Sequence, residues 1–357
     1  MLLNNTCHVM RLNFRYLTLG LLLLGMVACQ PRSKVVETKD TIFVFGTLVE
    51  VTLINVPDKD KQAVLKRIND DLDYLHFVFH AWRPGPLGRT NELLAQAAEF
   101  TANPSVLPLL SKAQKLARES HDLFNPAIGK LLKLWGFEND MPPVGPPPDA
   151  AAIQALVKLH PSMSDLTIKG IRISNTNPAV KLDMGAIAKG YALDIVNKDL
   201  KAMGVNNATI NAGGGIKVLG QHGDRPWHIG IRDPRATGVI ASVDLHDGES
   251  ISTSGDYERF YEYKGKRYCH IIDPRTGYPA DKTRSVTVID KDGTLADAAS
   301  TALFVAGPEQ WLAIAKDMGV TQAMLIDANG VMYMTPQMQQ RIKLEKPIQD
   351  VKVVSLP

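Results

Sequence analysis

The sequence predicts an α+β fold: a single large mixed domain, strand-rich in its C-terminal half and flanked by helices. Three observations carry that reading. Stretches of two-residue alternation and stretches of helical periodicity are interspersed without the regular strand–helix–strand rhythm of a parallel α/β protein. From about residue 212 to residue 289 the pattern is mostly strands, with hairpin turns such as Lys264-Gly265-Lys266. No internal repeat is visible, and 45% hydrophobic with 22% charged residues suits a chain with a packed core.

In chain order, residues 41–55 alternate apolar and β-branched positions and read as a strand pair or one long strand. Residues 58–80 form a helix, with Val64, Leu65, Ile68, Leu72 and Leu75 on one face. A second helix covers 106–120. The proline-rich stretch 141–149 continues neither a helix nor a central strand, so it is a surface loop inside the domain. A helix over 150–159 precedes two short strands split by Lys169-Gly170. A strand ending at Asp183 leads into a helix over 186–203, then a strand at 208–211 and three glycines. Helices over 295–305 and 309–318 and a hairpin across 327–330 complete the pattern.

The N-terminus is read separately. Arg11 and Arg15 precede an apolar run, residues 17–27, too short to span a bilayer. It ends Met26-Val27-Ala28-Cys29, which looks like the lipobox at which an exported lipoprotein is cleaved and its cysteine acylated. The expected organisation is therefore a signal peptide at 1–28, a lipid-anchored tether at 29–40, the domain at 41–345 and a tail at 346–357. Cleavage lowers the formal charge from +3 to +1, because two Arg and no acidic residue leave. Nothing in that balance resembles the basic surface that nucleic acid requires, so no nucleic-acid partner is expected. After cleavage and acylation Cys269 is the one remaining thiol, which excludes an intramolecular disulfide.

Four stretches could carry chemistry. In ADAAST (296–301), Asp297 and Thr301 share a helix face with Ser300 beside them; such hard oxygen donors suit Mg²⁺. The alternative is an acidic residue favoured near a helix start. LDMGAIAKGY (182–191) places a helix N-terminus and Lys189 where phosphate could bind, or is an ordinary strand-to-helix turn. The glycines of INAGGG (210–215) permit close approach of a ligand, or of another backbone. HIIDPRTG (270–277) offers His270 as a general base, or a half-buried strand histidine. A Cys269–His270 nucleophile pair is rejected, because neighbours on a strand point to opposite faces.

Together with FNPAIG (124–129), LWGF (134–137), IGIRDP (229–234) and STSGD (252–256), these stretches, in this order, resemble the ApbE family of FAD:protein FMN transferases over about residues 45–334. The resemblance implies a fold of two T-fold-type halves, FAD as substrate and Mg²⁺ as cofactor. It also implies an exported, often lipid-anchored enzyme that links FMN to Thr or Ser of client flavoproteins such as membrane redox complex subunits. Asp297, Thr301 and the Ala186 carbonyl match the family's metal donors. Asp183, Lys189, Ile272 and Leu123-Phe124-Asn125 match its flavin-nucleotide contacts. Trp82 and Phe45 match ring-packing positions, Phe45 where Met is common, and His270 matches the base for the acceptor hydroxyl. Three departures stand out: Ser300 in place of an Asp, Gly215 in place of Asn or Asp, and Asn125 in place of Asp. Hydrolysis of FAD to FMN and AMP, or flavin binding without turnover, are the competing readings.

Overall fold

The computed structural model describes residues 35–96, 98–139, 141 and 143–356. Contacts divide the chain into residues 1–36 and 37–357, and every strand and helix named below lies in the second unit. The expected signal peptide and Cys29 lie outside the described residues. Among the described residues no helix is long and apolar enough to cross a membrane.

The strands are β1 Glu37–Val44, β2 Thr47–Ile54, β3 Phe100–Thr101, β4 Leu166–Lys169, β5 Arg172–Asn175, β6 Ala208–Asn211, β7 Gly215–Leu219, β8 Trp227–Arg232 and β9 Val239–Leu245. They continue as β10 Ser250–Gly255, β11 Phe260–Tyr263, β12 Lys266–Cys269, β13 Thr283–Asp290, β14 Gln322–Asp327, β15 Met332–Met334, β16 Lys343–Leu344 and β17 Val351–Val353. The helices are α1 Asp58–Phe79, α2 Pro86–Leu94, α3 Leu107–Glu119, α4 Gly129–Leu134, α5 Ala150–Val157, α6 Ala188–Ala202, α7 Gly293–Asp317 and α8 Pro336–Gln339.

One sheet organises the unit, in the order β1-β2-β6-β7-β10-β13-β14-β15-β17. Its pairs are antiparallel except β15 with β17. Burial follows position. Central β13 is almost continuously buried, whereas edge strand β1 alternates between exposed and half-buried positions and buries only Val44. α1, α6 and α7 pack together and cover the sheet. In α1 the buried stripe is Val64, Ile68, Leu72, Leu75, Val78 and Phe79, at the spacing of one helix face. α7 is two helices joined at Gly307 (φ 69°) and Pro308, which breaks the ladder where the sequence pattern has its gap.

Several boundaries differ from expectation. β1 starts at Glu37, inside the stretch read as tether, because an exposed edge strand tolerates the polar Glu37-Thr38-Lys39-Asp40. The tail 346–357 contributes β17, a fully exposed strand too short to show a pattern. No strand ends at Asp183: Lys181 makes one isolated bridge to Ile128, and the chain runs irregularly into α6, which starts at Ala188. α2, opened by Pro86, has no counterpart in the sequence pattern, since its Gly and Pro residues read as loop.

Candidate active site

The β1–β2 turn is Phe45-Gly46, both at positive φ (54° and 69°), the geometry of a tight primed hairpin. A bulky Phe rarely adopts this conformation, so it is held by its surroundings. Its ring meets His76 edge-on at 5.2 Å, His76 meets His80 at 5.1 Å, and His80 meets Trp82 at 4.9 Å. This ladder of rings runs along the end of α1 and connects Phe45 to Trp82, which is 36% exposed.

From there a side chain that sequence reasoning missed makes the next link. Asn91 in α2 donates to the Ala81 carbonyl (3.2 Å) and the Leu182 carbonyl (2.9 Å) and accepts from the Leu182 N–H (2.7 Å). It therefore fixes the residue before Trp82 against the residue before Asp183. The 124–129 stretch lies alongside, with the Asp183 N–H donating to the Pro126 carbonyl at 2.8 Å. Asn125 caps that stretch locally, accepting from the Ala127 N–H and donating to the Pro161 carbonyl. Leu123 and Phe124 are core residues, so a ligand can meet them only through their main chain. Ile272 is equally buried, within a second apolar cluster around Trp135.

Asp183 turns back to accept from the Gly185 N–H at 2.8 Å. Burial, with the nearby Glu138 charge, raises its pKa, against the Gly185 bond and the charges of Arg259 and Lys181. Lys189 reaches back to the Gly185 carbonyl (3.2 Å), so its ammonium sits beside the turn holding Ala186. One residue on, the Gly190 N–H donates to Asp297 Oδ2 at 2.9 Å. A Cβ at Gly190 would lie 2.1 Å from the Gly293 carbonyl oxygen and 2.7 Å from Asp297 Cβ. Only a glycine lets α6 and α7 meet closely enough to bring Asp297 against the start of α6.

The protons around Thr301 can be traced from bond to bond. Ser300 Oγ donates to the Asp297 carbonyl at 2.9 Å, which uses its only proton. Ser254 Oγ, 2.8 Å from Ser300 Oγ, must then be the donor there. Thr301 Oγ1, 3.1 Å from Ser254 Oγ, is in turn the donor to Ser254. Thr301 is left with lone pairs and no proton for any ligand on its free side. Asp297, 7% exposed, has Oδ1 without a hydrogen-bond donor among the described residues. A carboxylate oxygen and a hydroxyl oxygen, both restricted to accepting, fit a hard dication. Ser300, buried and occupied by its own helix, adds no ligand where the resemblance expects an Asp in some relatives. Among the described residues no three His, Cys, Asp or Glu side chains gather as a metal site.

The triple glycine serves backbone packing. Gly213 and Gly214 have positive φ, and Cβ atoms there would sit 2.6 Å from Thr47 Oγ1 and 2.9 Å from the Thr253 carbonyl. The loop thus wedges the Phe45 hairpin against β10, next to Ser254.

His270 follows β12. Its Nδ1 lies 3.2 Å from the Arg259 carbonyl, which can only accept, so Nδ1 carries the proton and Nε2 presents a lone pair. Burial, then the positive charges of Arg259 and Lys189, pushes its pKa down to about 3. The imidazole is therefore a neutral base at physiological pH. Cys269 points the other way, toward the Ala280 carbonyl, and burial raises its thiol to about 12, so no nucleophile pair forms. The 270–277 loop is pinned by Asp273 and Arg275, and by Trp135 Nε1 donating to the Gly277 carbonyl at 2.7 Å.

Cys29 apart, the candidate residues named from the sequence thus belong to one connected region. Sequence reasoning missed Asn91, Arg259 and the role of Ser254; only Ser254 lies within a quoted motif. The cleft lined by Phe77, Arg89 and Asn103 contains none of the candidate residues.

The ApbE family model matches residues 45–325. A FAD:protein FMN transferase of Rhodobacter capsulatus is 43% identical over 307 residues, 86% of this chain; the chain spans 58% of that protein's length. A FAD:protein FMN transferase of Treponema pallidum is 34% identical over 325 residues, covering 85% of this chain and 88% of that protein. Among solved structures, the ApbE protein of Thermotoga maritima superposes with a TM-score of 0.75 at 30% identity, over 88% of this chain and all of that one. The apo flavinyl transferase ApbE of Pseudomonas stutzeri gives 0.75 at 32% identity, over 86% and 97%.

Proposed function

The chain belongs to the ApbE family, and on that premise we propose that it is an FAD:protein FMN transferase, moving FMN from FAD to a Thr or Ser hydroxyl of a client flavoprotein with release of AMP. The observation that supports the reading most is Asp297 held against the first turn of α6, where Lys189 reaches back to the turn before Ala186 and its charge acts on a neutral His270. In the reaction the client oxygen bonds to the phosphorus of the FMN half, and the bond to the bridging oxygen of AMP breaks. Bound at Asp297, Thr301 and the Ala186 carbonyl, Mg²⁺ would supply charge neutralisation on the diphosphate. Lys189, in the first turn of α6, shares that charge. His270 Nε2 accepts the hydroxyl proton, a contribution of roughly 10²–10⁴-fold for a positioned base. Negative charge brought by FAD near Lys189 opposes that ammonium's share of the His270 depression, a share smaller than those of burial and Arg259. Phe45 and Trp82 offer ring faces to the flavin or adenine.

Export, acylation at Cys29 and anchoring on the periplasmic side, with clients among membrane redox complexes, complete the proposal; the lipobox-like Met26-Val27-Ala28-Cys29 supports it. The test is incubation with FAD, Mg²⁺ and a candidate client, read by in-gel flavin fluorescence and mass. A covalent FMN adduct with AMP released only when client is present supports transfer. Steady FMN and AMP production from FAD alone supports hydrolysis, and intact FAD supports binding without turnover.

A further inference from the structure

The two helices that build the proposed metal site cap each other. Asp297, from α7, accepts from the Gly190 N–H in the first turn of α6 at 2.9 Å. Asp194, from α6, accepts from the Gly293 N–H (3.0 Å), the Thr294 N–H (2.9 Å) and the Thr294 hydroxyl (2.8 Å) in the first turn of α7. A helix start leaves such N–H groups unpaired, so each carboxylate satisfies donors that the other helix exposes. Gly190 and Gly293 stand between the two carboxylates at the closest approach of the helices.

The second carboxylate is itself held. Lys217 of β7, 4% exposed, donates to Asp194 Oδ1 at 2.8 Å and to the Lys291 carbonyl at 2.7 Å. Lys291 immediately precedes Asp292, the N-cap of α7, so this buried ammonium ties β7, α6 and the entrance to α7 at one point. Asp297 lies about one turn along α7 from Gly293. Any slip or rotation of α7 on α6 therefore moves Asp297 relative to the Ala186 turn.

We propose that Asp194, locked by Lys217, is a positioning residue for the metal site: its caps on Gly293 and Thr294 set the position of α7 on α6, and so bring Asp297 to the Ala186 turn. The inference rests on the metal reading above. Asp194 touches no reacting atom and acts through Asp297. Its removal should weaken Mg²⁺ binding more than it slows the reaction once Mg²⁺ saturates.

The test compares wild type with the double variant Asp194→Ala/Lys217→Met, which removes the caps without stranding a buried charge, and with Asp194→Asn, which keeps an acceptor toward α7. Two readouts are taken. The first is amide hydrogen exchange at Gly190 in the protein without Mg²⁺ or FAD. The second is the Mg²⁺ dissociation constant in the presence of FAD, by calorimetric titration, with the KM for Mg²⁺ and kcat alongside. Expected are at least tenfold faster Gly190 exchange in the double variant, a tenfold or greater rise in the Mg²⁺ constants, less than threefold loss of kcat at saturating Mg²⁺, and partial rescue in Asp194→Asn. Wild-type Gly190 exchange and Mg²⁺ affinity in either folded variant, despite lower stability, would overturn the positioning role. Absence of Mg²⁺ binding by wild type with FAD would instead overturn the metal reading and this inference with it. Should the double variant fail to fold, Asp194→Asn is read by the same two measurements, and wild-type values of both overturn the positioning role.

Discussion

The substitution Gly190→Ala tests the geometry with a single methyl group. Its Cβ would stand 2.1 Å from the Gly293 carbonyl oxygen, about 1.3 Å short of the 3.4 Å at which ordinary contact begins. Both neighbours are rigid, one a backbone carbonyl and the other the Cβ of Asp297, so α6 and α7 have to part. Alanine favours a helix over glycine by about 1 kcal/mol, which opposes the damage. Against it stand overpacking, about 1–3 kcal/mol, and weakening of the Gly190–Asp297 bond, about 1.5–3 kcal/mol for a charged acceptor. The net expected loss is about 1.5–5 kcal/mol by urea denaturation. Misplacing Asp297 by about 1 Å should slow FMN transfer at limiting Mg²⁺ on the order of 10²-fold. Stability within about 0.5 kcal/mol of wild type, with an unchanged Mg²⁺ dependence, would refute the close packing as the reason for glycine here.

Four further outcomes are expected. Ser254→Ala breaks the hydroxyl chain behind Thr301, costing about 1 kcal/mol of stability and raising the KM for Mg²⁺ several-fold; an unchanged KM would show that Thr301 does not depend on it. Trp82→Ala removes one ring contact of about 0.5–1.5 kcal/mol, so the Kd for FAD measured by fluorescence quenching should rise about 2- to 12-fold. Cys269→Ala should keep transfer within threefold, since the thiol is buried and faces away from His270; a loss beyond tenfold would restore a role for it. For His270, the folded pKa of about 3 lies below the ordinary value of 6.5, so the unfolded chain binds the proton first and folding stability falls as pH drops from about 6.5 to 3. His270→Gln should flatten that part of an acid titration of the free enzyme and abolish transfer; an unchanged acid limb would contradict the depressed pKa.

The sequence makes local features legible and leaves long-range ones dark. The stripe of α1 and the Gly307–Pro308 break follow from periodicity and turn chemistry acting over a few residues, whereas residues 41–55 read equally as a strand pair or one long strand, because a Phe at positive φ announces no turn. The α6 start, read as following a strand, follows an irregular segment instead, because Lys181–Asp183 is held by backbone bonds to the 126–128 stretch that no local pattern announces. The metal-donor candidates can be named from an i, i+4 pair on one helix. Their company cannot: Ser254, Asn91 and Arg259 reach the region from other elements, and the Asp194–Lys217 pair joins a helix to a strand. Motif membership also overstates side-chain contact, since Leu123, Phe124 and Ile272 are packed into apolar clusters and can offer a ligand little but backbone. The edges mislead for one reason: β1 and β17 expose most of their residues, and exposed strands look polar or patternless.

The most direct measurement is an anomalous difference map from crystals of the enzyme soaked with FAD and Mn²⁺ standing in for Mg²⁺. The expected result is one strong peak about 2.0–2.2 Å from Asp297 Oδ1, Thr301 Oγ1 and the Ala186 carbonyl oxygen, touching the diphosphate of FAD. A diphosphate bound with no peak there, or a metal held by other residues, would contradict the assignment of these three oxygens.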